Sequence, residues 1–212
     1  NVDDRTWRFY LRPGVRFQDG NAVFPEGQGR EVTAEDVVYS IQRFMEVSTA
    51  FYLGEIEQVR ALDRYTVEIR TAHPDPFLIQ DPNRLARVAI VPREAVELLG
   101  EDGFAKNPIG SGPFELVRFV PDQTVILQRN EDYWLPVYLD RVEFVFIPDP
   151  TVQVIALSAG EVDVIPYLLN VDAAEVIARN PELELVGRGG SYRGIGFNVT
   201  KPPFDDWRVR DA

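Results

Sequence analysis

The sequence predicts a mixed α and β fold, an α/β class, and three observations lead to that prediction. Some segments alternate apolar with polar residues, which is the period of a strand with one buried face. Others repeat apolar residues three or four positions apart, which is the period of a helix. Glycine and proline, with 15 and 16 residues among 212, cluster between the two kinds of segment. Strands and helices therefore follow one another along a chain that is long enough to bury a real core.

The first predicted elements are a strand and a helix. The strand lies in "WRFYLR", where Trp7, Phe9 and Leu11 alternate with arginine and tyrosine. After a glycine-rich loop, Thr33 and Asp36 form a short-armed capping box, which marks the start of a helix. The helix carries an apolar stripe that we interpret as core, made of Val37, Ile41, Phe44 and Met45.

A second strand and a second helix are predicted before residue 107. The alternation in "YTVEIR", residues 65–70, is typical of a half-buried strand. Pro92 favours the start of a short helix that runs through Leu99 and ends at Gly100.

A rigid corner, "NPIGSGPF" at residues 107–114, marks a change in the pattern. Its two prolines fix the backbone angle φ, and its two glycines permit positive φ and close backbone approach. Three strand-like segments follow, "FELVRFV", "TVILQR" and "VEFVFI", and we expect them to be antiparallel neighbours. The sequence therefore predicts a subdomain boundary near Asn107.

The last part of the chain combines helices with short strands. One helix is predicted over residues 152–159 and ends at Gly160. Another begins with a capping box of Asp172 and Glu175 and runs through Arg179. The segments "LELVG" and "YRGIGFNV" predict strands, and "DDWRVRDA" predicts the first turn of a helix.

The composition restricts the classes of function. The formal net charge is −12, and Lys106 and Lys201 are the only lysines, so a nucleic-acid partner is not expected. Without cysteine there is no disulfide, thiol nucleophile or cysteine metal site to propose. No window approaches the roughly 18 apolar residues that are needed to span a bilayer.

The common catalytic patterns are missing from the sequence. The single histidine, His73, precedes a proline in a loop, and no serine lies in a G-x-S-x-G turn. The segment "GRGGSYRG" lacks the lysine and the glycine spacing of phosphate loops, and there is no D-x-D-x-D-G calcium loop. We therefore predict no catalytic residue, no cofactor and no metal. The many carboxylates leave a paired-carboxylate hydrolase open as an alternative.

Seven segments carry a family resemblance that covers essentially the whole chain. They read, in order, "WRFYLRPGVRFQDG", "VTAEDVVYSIQRFM", "NPIGSGPFELVRF", "LQRNEDYW", "YLDRVEFVFIPD", "ALSAGEVDVI" and "GFNVTKPPFDDWRVRDA". Together they closely resemble the extracellular solute-binding proteins of family 5, the peptide and nickel type receptors of ATP-driven (ABC) importers. One departure is an insertion of roughly seven residues before Thr33 that includes "FPEGQGR". We expect it to change only the shape of a surface loop, since such insertions cost little closure entropy.

The resemblance implies a periplasmic-binding-protein-like type II fold, in which two lobes enclose a ligand cleft. Residues 1–106 would be an α/β subdomain inserted into lobe one, and residues 107–197 the central part of that lobe. Residues 198–212 would be the crossover and the start of lobe two. On this interpretation the chain is a fragment that lacks the second lobe, and the rigid corner is where the chain re-enters the main sheet.

The resemblance also implies a set of ligand-binding residues. The segment after "GEVD" would line the cleft with Ile165, Pro166 and Tyr167, and the strand before "FN" with Tyr192, Arg193 and Gly194. An aromatic residue after the first long helix, Phe51 or Tyr52, would approach from the subdomain. Tyrosines offer an apolar face and one hydroxyl group, which suits solutes with varied side chains.

The function that the resemblance implies is capture of a small solute, an oligopeptide first of all, for delivery to the membrane permease of an ABC importer. Lobe closure around the solute would be the mechanism, without covalent chemistry. A nickel complex is disfavoured because imidazole is a favoured nickel ligand and His73 stands alone. A sugar or another solute, a secreted hydrolase and a purely structural extracellular domain remain as alternatives.

The same resemblance implies a periplasmic or extracellular location at the cell surface. A lipoprotein anchor would lie at an N-terminus that this sequence does not include, and it would provide the only association with a membrane.

Overall fold

The computed structural model describes residues 2–19, 21–46, 50–81, 84–166, 171–186, 200–203 and 205–210. The chain divides into two compact units, Asn1–Phe146 and Ile147–Ala212. None of the helices in the described ranges has both the length and the apolar composition that crossing a bilayer requires.

The first unit contains six strands and three α-helices in the described ranges. They are β1 (Thr6–Tyr10), α1 (Ala34–Met45), β2 (Ile56–Asp63), β3 (Thr66–Thr71), α2 (Phe77–Gln80), α3 (Arg93–Lys106), β4 (Phe114–Val120), β5 (Thr124–Arg129) and β6 (Arg141–Val145). Three short 3-10 turns lie at Pro25–Gly27, Ala50–Leu53 and Leu85–Arg87.

The first sheet has the antiparallel order β1-β3-β2 and packs against α1. Its core consists of buried apolar residues from the sheet, from α1 and from the following turns: Ala34, Val38, Ile41, Leu53, Ile56, Val67, Ile69 and Leu78. Because β3 is the central strand, Thr66 and Glu68 on its other face are buried as well. The prediction of a half-buried strand was therefore wrong for β3, although its position was confirmed.

Helix α1 begins where the capping box predicted. The Asp36 carboxylate accepts hydrogen bonds from the backbone N–H of Thr33 at 2.8 Å and from its hydroxyl group at 3.0 Å. Ile41 is buried as predicted, but Met45 at the end of the helix is 39% exposed. Val38, which was not assigned to the stripe, is buried, so the buried face is rotated away from Met45.

A second core cluster contradicts the expected surface loop at residues 24–30. Phe24 is buried and its ring stacks on that of Phe17, with 6.1 Å between centroids. A Cβ on Gly29 would overlap the Phe17 carbonyl oxygen, so only glycine fits there. Phe24 of the insertion is therefore part of a core that also includes Val32, Val91, Ala95, Val96, Phe104 and Ile109, while Pro25, Glu26 and Gln28 are exposed.

Helix α3 continues past the predicted end. Pro92 is its N-cap, and Gly100 has positive φ (68°) with ψ of 168°, which breaks the helical geometry as the glycine predicted. The helix then resumes and ends at Lys106, because residues after the break again form helical hydrogen bonds, including Asn107 N–H to the Gly103 carbonyl at 3.1 Å.

The second sheet has the antiparallel order β4-β5-β6, as predicted. Two buried amides hold the rigid corner that precedes it. Gln18 donates to the Phe114 carbonyl at 2.7 Å and accepts from the Gly110 N–H at 3.2 Å, and Asn130 donates to the Gly112 carbonyl at 2.9 Å. The corner coincides with the change from one sheet to the other, and a domain boundary there stays a prediction.

The second unit contains α4 (Pro150–Ser158), α5 (Val171–Arg179) and α6 (Trp207–Arg210). Helix α4 begins two residues before the predicted start, because the Asp149 carboxylate caps it by accepting from the N–H groups of Thr151 and Val152. Gly160, with φ of 74°, follows its end as predicted. Helix α5 ends at Arg179 as predicted, but it already includes Val171, so Asp172 lies within the helix and is not its N-cap. The Asp172 side chain lies outside the described part.

The two predicted strands of the second unit have different outcomes. Residues 183–186 of "LELVG" form no strand. The segment "YRGIGFNV" lies outside the described residues.

Candidate functional site

Four of the eight predicted ligand-binding residues, Tyr167, Tyr192, Arg193 and Gly194, lie outside the described residues. Their place in a ligand cleft therefore stays a prediction.

Two of the predicted residues are described in the second unit. Ile165 is half-buried and packs against the small core of Val154 and Ile177. Pro166, next along the chain, is exposed. Part of the Ile165 surface therefore stabilises this unit, while Pro166 is accessible to a solute.

The aromatic pair Phe51–Tyr52 is the part of the predicted site that the structure describes in most detail. It lies on the 3-10 turn Ala50–Leu53, a few residues after α1. Leu53 is 1% exposed and anchors the turn in the first core, whereas Phe51 is 71% exposed. The two rings are 4.1 Å apart between centroids with a tilt of 32°. The turn thus presents a large apolar ring to solvent from a fixed point.

Arg87 lies over the ring of Tyr52, with its guanidinium carbon 4.0 Å from the ring centroid. A cation over an aromatic face is attracted by the negative potential of the ring. Tyr52, which is half-buried, therefore contacts both Phe51 and Arg87.

The backbone of the same turn is held by a partly buried ion pair of Arg84 and Asp75. Together with the carbonyls of Tyr52 and Leu53 that it bonds, we call this pair the Arg84 clamp. Arg84 Nε donates to the Tyr52 carbonyl at 3.0 Å, and Nη2 donates to the Leu53 carbonyl at 2.7 Å. Both terminal nitrogens also donate to the Asp75 carboxylate, at 2.7 and 2.6 Å. These bonds from Arg84 lower the pKa of Asp75 and keep it ionised.

Other carboxylates of the first unit belong to structural ion pairs. Glu68 lies between Arg8 and Arg60 on neighbouring strands, at 2.8 and 2.6 Å, and the bonds from Arg8 and then Arg60 lower its pKa. Arg30 bonds both Asp36 and Glu94, and its bonds lower the pKa of Glu94.

The direction of these shifts bears on the hydrolase alternative. A hydrolase of the paired-carboxylate type needs one acid whose pKa is raised. Wherever a carboxylate pKa in the described part of the chain departs clearly from its usual value, it is lowered. Hydrogen bonds from backbone N–H groups and from arginine side chains therefore favour ionised, structural carboxylates here.

The described ranges contain no cluster of three or more metal-ligating side chains. His73 is an exposed surface residue whose Nε2 lies 3.5 Å from the Glu55 carboxylate. This arrangement gives the described part no imidazole cluster of the kind that nickel favours.

Sequence reasoning did not identify Arg84, Arg87 or Gly54 near the aromatic pair. An arginine in a loop without periodicity is ordinarily interpreted as a solvated residue. Gly54 was the available signal, because a glycine directly after "AFYL" predicts positive φ at the end of a turn, and its φ is 72°.

Residues 1–212 match the family described as "Bacterial extracellular solute-binding proteins, family 5 Middle". The chain is 30% identical to the di/tripeptide-binding protein 1 of Pseudomonas aeruginosa, over 99% of its own length and 42% of that protein. It is also 30% identical to the dipeptide-binding protein of Escherichia coli, with the same coverage of 99% and 42%. The chain therefore spans about two fifths of the length of these relatives.

A solved structure of similar fold is a periplasmic solute-binding protein, MoaA, from A. tumefaciens R10 in complex with mannopinic acid. It is 30% identical with a TM-score of 0.75, and the match covers 99% of this chain and 42% of that one.

Proposed function

Because the chain belongs to the bacterial extracellular solute-binding proteins of family 5, we propose that it forms part of a receptor that captures a small solute outside the cytoplasm. The receptor delivers that solute to the membrane permease of an ABC importer. The match of all 212 residues to the family carries the proposal. The whole receptor is then periplasmic or extracellular, and a lipid anchor at the cell surface belongs to the proposal.

The proposed solute is a short peptide. Two relatives at 30% identity are named for binding dipeptides or tripeptides. The exposed ring of Phe51 supports this choice, because an aromatic face accepts apolar side chains of varied shape without requiring one hydrogen-bonding partner. The proposed ligand contacts are Phe51 and Tyr52 together with Ile165, Pro166, Tyr167, Tyr192, Arg193 and Gly194.

The proposed mechanism is closure of two lobes around the solute. The chain then contributes the subdomain at residues 1–106, the central part of lobe one at 107–197 and the crossover at 198–212. Solute binding favours the closed state because contacts from both sides form only there. No covalent step belongs to the proposal.

A second candidate is an acidic sugar conjugate instead of a peptide. The solved structure at 30% identity holds mannopinic acid, so this family fold accommodates a solute that is not a peptide. The two solutes differ in charge and in hydrogen-bonding groups, so competition between them separates the candidates.

The test is calorimetric titration of the full-length protein with the dipeptide alanyl-phenylalanine and with mannopinic acid. The proposal predicts micromolar binding of the dipeptide and at least a tenfold loss in the Tyr167→Ala variant, which corresponds to about 1.4 kcal/mol. Arg179→Ala, an exposed residue on α5, is the matched control and should leave the affinity unchanged. Binding of mannopinic acid alone would replace the peptide with the second candidate, and hydrolysis of the dipeptide during the titration would contradict the receptor function.

A further inference from the structure

We infer that Arg84 is a positioning residue for solute binding, because the Arg84 clamp fixes the turn that carries Phe51 and Tyr52. The inference rests on the proposed function, since it assigns a use to the aromatic pair. It is independent of which peptide binds.

One side chain, that of Arg84, donates two hydrogen bonds to this turn. Arg84 reaches two successive carbonyls, those of Tyr52 and Leu53, with donor to acceptor distances of 3.0 and 2.7 Å. The Gly54 N–H closes the turn on the Phe51 carbonyl at 3.3 Å. A short 3-10 turn has poor hydrogen-bond geometry of its own. The guanidinium therefore supplies much of what holds the turn in place.

The ion pair of the Arg84 clamp is largely shielded from solvent. The Arg84 side chain is only 12% exposed, and its partner Asp75 is 20% exposed. Removing a charge from water is costly unless its donors are matched, and here a planar guanidinium meets a carboxylate in a paired arrangement and two carbonyls besides. An ion pair with this many partners has one strongly preferred geometry, which it imposes on the turn.

Gly54 lies directly beside the Arg84 clamp. A Cβ on Gly54 would overlap the Arg84 guanidinium, and Gly54 has φ of 72°, which favours glycine. The backbone thus leaves room for this one guanidinium. A residue without a side chain at position 54 is therefore what allows the Arg84 guanidinium to occupy its bonded position.

The backbone of the turn is anchored, whereas the ring of Phe51 is exposed. The carbonyls of Tyr52 and Leu53 are fixed, while Phe51 directs a ring that is 71% exposed into solvent. A solute that meets a ring already in place does not have to order it on binding, and that saving improves affinity. The clamp would therefore act on affinity through Phe51 and Tyr52 without touching the solute.

The test is a double-mutant cycle in the full-length protein, with alanyl-phenylalanine as the probe and calorimetry as the readout. Arg84→Ala should weaken binding about tenfold, as should Phe51→Ala. The loss of affinity in the double variant should be smaller than the sum of the two single losses, because the clamp acts through Phe51 and its neighbour Tyr52. Additive losses would mean that Arg84 has a merely structural effect, and an unchanged affinity in Arg84→Ala would also overturn the inference.

A spectroscopic readout tests the positioning without any solute. Because Trp7, Trp134 and Trp207 also fluoresce, the signal of a new indole is taken as the difference between a Phe51→Trp variant and its parent. In this difference, loss of the clamp through Arg84→Ala should lower the fluorescence anisotropy and increase the quenching by acrylamide. Arg84→Lys should not restore either value, because an ammonium cannot serve two carbonyls and a carboxylate in one plane. Gly54→Ala keeps every charge and should reproduce the change. Unaltered anisotropy in both variants would contradict the inference.

One control variant and the combination of the two readouts separate this inference from the proposed function. Arg93→Ala removes an exposed arginine of α3 that pairs with Glu97, and it should change neither readout. If the anisotropy changes as expected but Phe51→Ala does not weaken peptide binding, the turn is positioned by Arg84 while the assigned ligand contact is wrong. If Phe51→Ala weakens binding but Arg84→Ala does not, the proposed function stands and the positioning role is wrong. Thermal melts verify folding, and Gly54→Ala replaces Arg84→Ala if the latter unfolds.

Discussion

The two sheets of the first unit have the same number of strands and the same antiparallel pairing, but they differ in burial. In β3, the centre of the first sheet, every residue but Arg70 is buried. Among the residues of β4, β5 and β6, all of which are described, only Ile126 is buried. The first sheet therefore has a core of its own, and the second sheet does not.

The second sheet nevertheless carries the sequence of a buried surface. Phe119, Val125 and Phe144 lie opposite one another across the three strands, and Leu116, Leu127 and Val142 form the next such row. Opposed residues lie on one face, so these six side chains make one apolar face, which we call the apolar face of the second sheet. Phe144 on it is 51% exposed. An apolar face on three strands ordinarily packs against another layer, so we expect the stability of the second sheet to depend on a cover.

The largest expected effect is the contrast between alanine substitutions in the two sheets. Ile69→Ala removes a side chain that is 1% exposed in the first core, and we expect the free energy of unfolding to fall by about 2 to 5 kcal/mol. Phe144→Ala on the apolar face of the second sheet should cost less than about 1 kcal/mol despite the larger side chain. Urea unfolding of both variants measures the difference. Equal losses of unfolding free energy in the two variants would show that the two sheets do not differ in how their side chains contribute to stability.

A smaller effect is expected at the corner that joins the sheets. Gln18→Ala should lower the free energy of unfolding by about 1 to 3 kcal/mol, because it leaves the Gly110 N–H and the Phe114 carbonyl without their partner. The exposed Gln123, in the turn between β4 and β5, offers a matched control in Gln123→Ala, which should be neutral. If the two substitutions have the same effect on the urea midpoint, the amide does not hold the corner.

The smallest effect concerns how the stability of the protein depends on pH through Glu31, whose carboxylate bonds the turn between β2 and β3. The Gly14 N–H, then Arg64 and Tyr65, bond the Glu31 carboxylate and lower its pKa from 4.5 to about 2. A lowered pKa in the folded state stabilises the protein fully above the unfolded value, and this stabilisation is lost as the pH falls from about 4.5 towards 2. The difference in the free energy of unfolding between the native chain and Glu31→Gln should therefore become smaller as the pH falls over that range. A gap that is the same at pH 7 and pH 3 would show that the bonds do not act through ionisation.

Local periodicity predicted much of the secondary structure, because the spacing of apolar residues depends on neighbours along the chain. The capping box at Thr33 and the three strands after the corner were confirmed on that basis. Burial of Glu68 could not be predicted in this way. It depends on β3 lying between two strands that supply Arg8 and Arg60, and the first of these lies 60 residues away in sequence.

The same limit applies to the insertion and to the site. Nothing local in "FPEGQGR" indicates that Phe24 enters a core with Val96 and Phe104, since those contacts are formed by distant segments. Phe51 and Tyr52 were predicted through the family resemblance. Arg84 was missed because its partners in the turn lie 31 and 32 residues before it, without any periodic signal.

The first sheet is stabilised by the core that it forms with α1, whereas we expect the second sheet to depend on a cover. Native-state hydrogen exchange of residues 1–212, resolved by mass spectrometry, tests this most directly, because amide protection reports local opening free energy. We expect the amides of β3 to exchange slowest, at the rate set by global unfolding, and those of β4 to β6 to exchange by a separate and easier opening. Equal protection in β3 and β5, or slower exchange in β5, would contradict the claim.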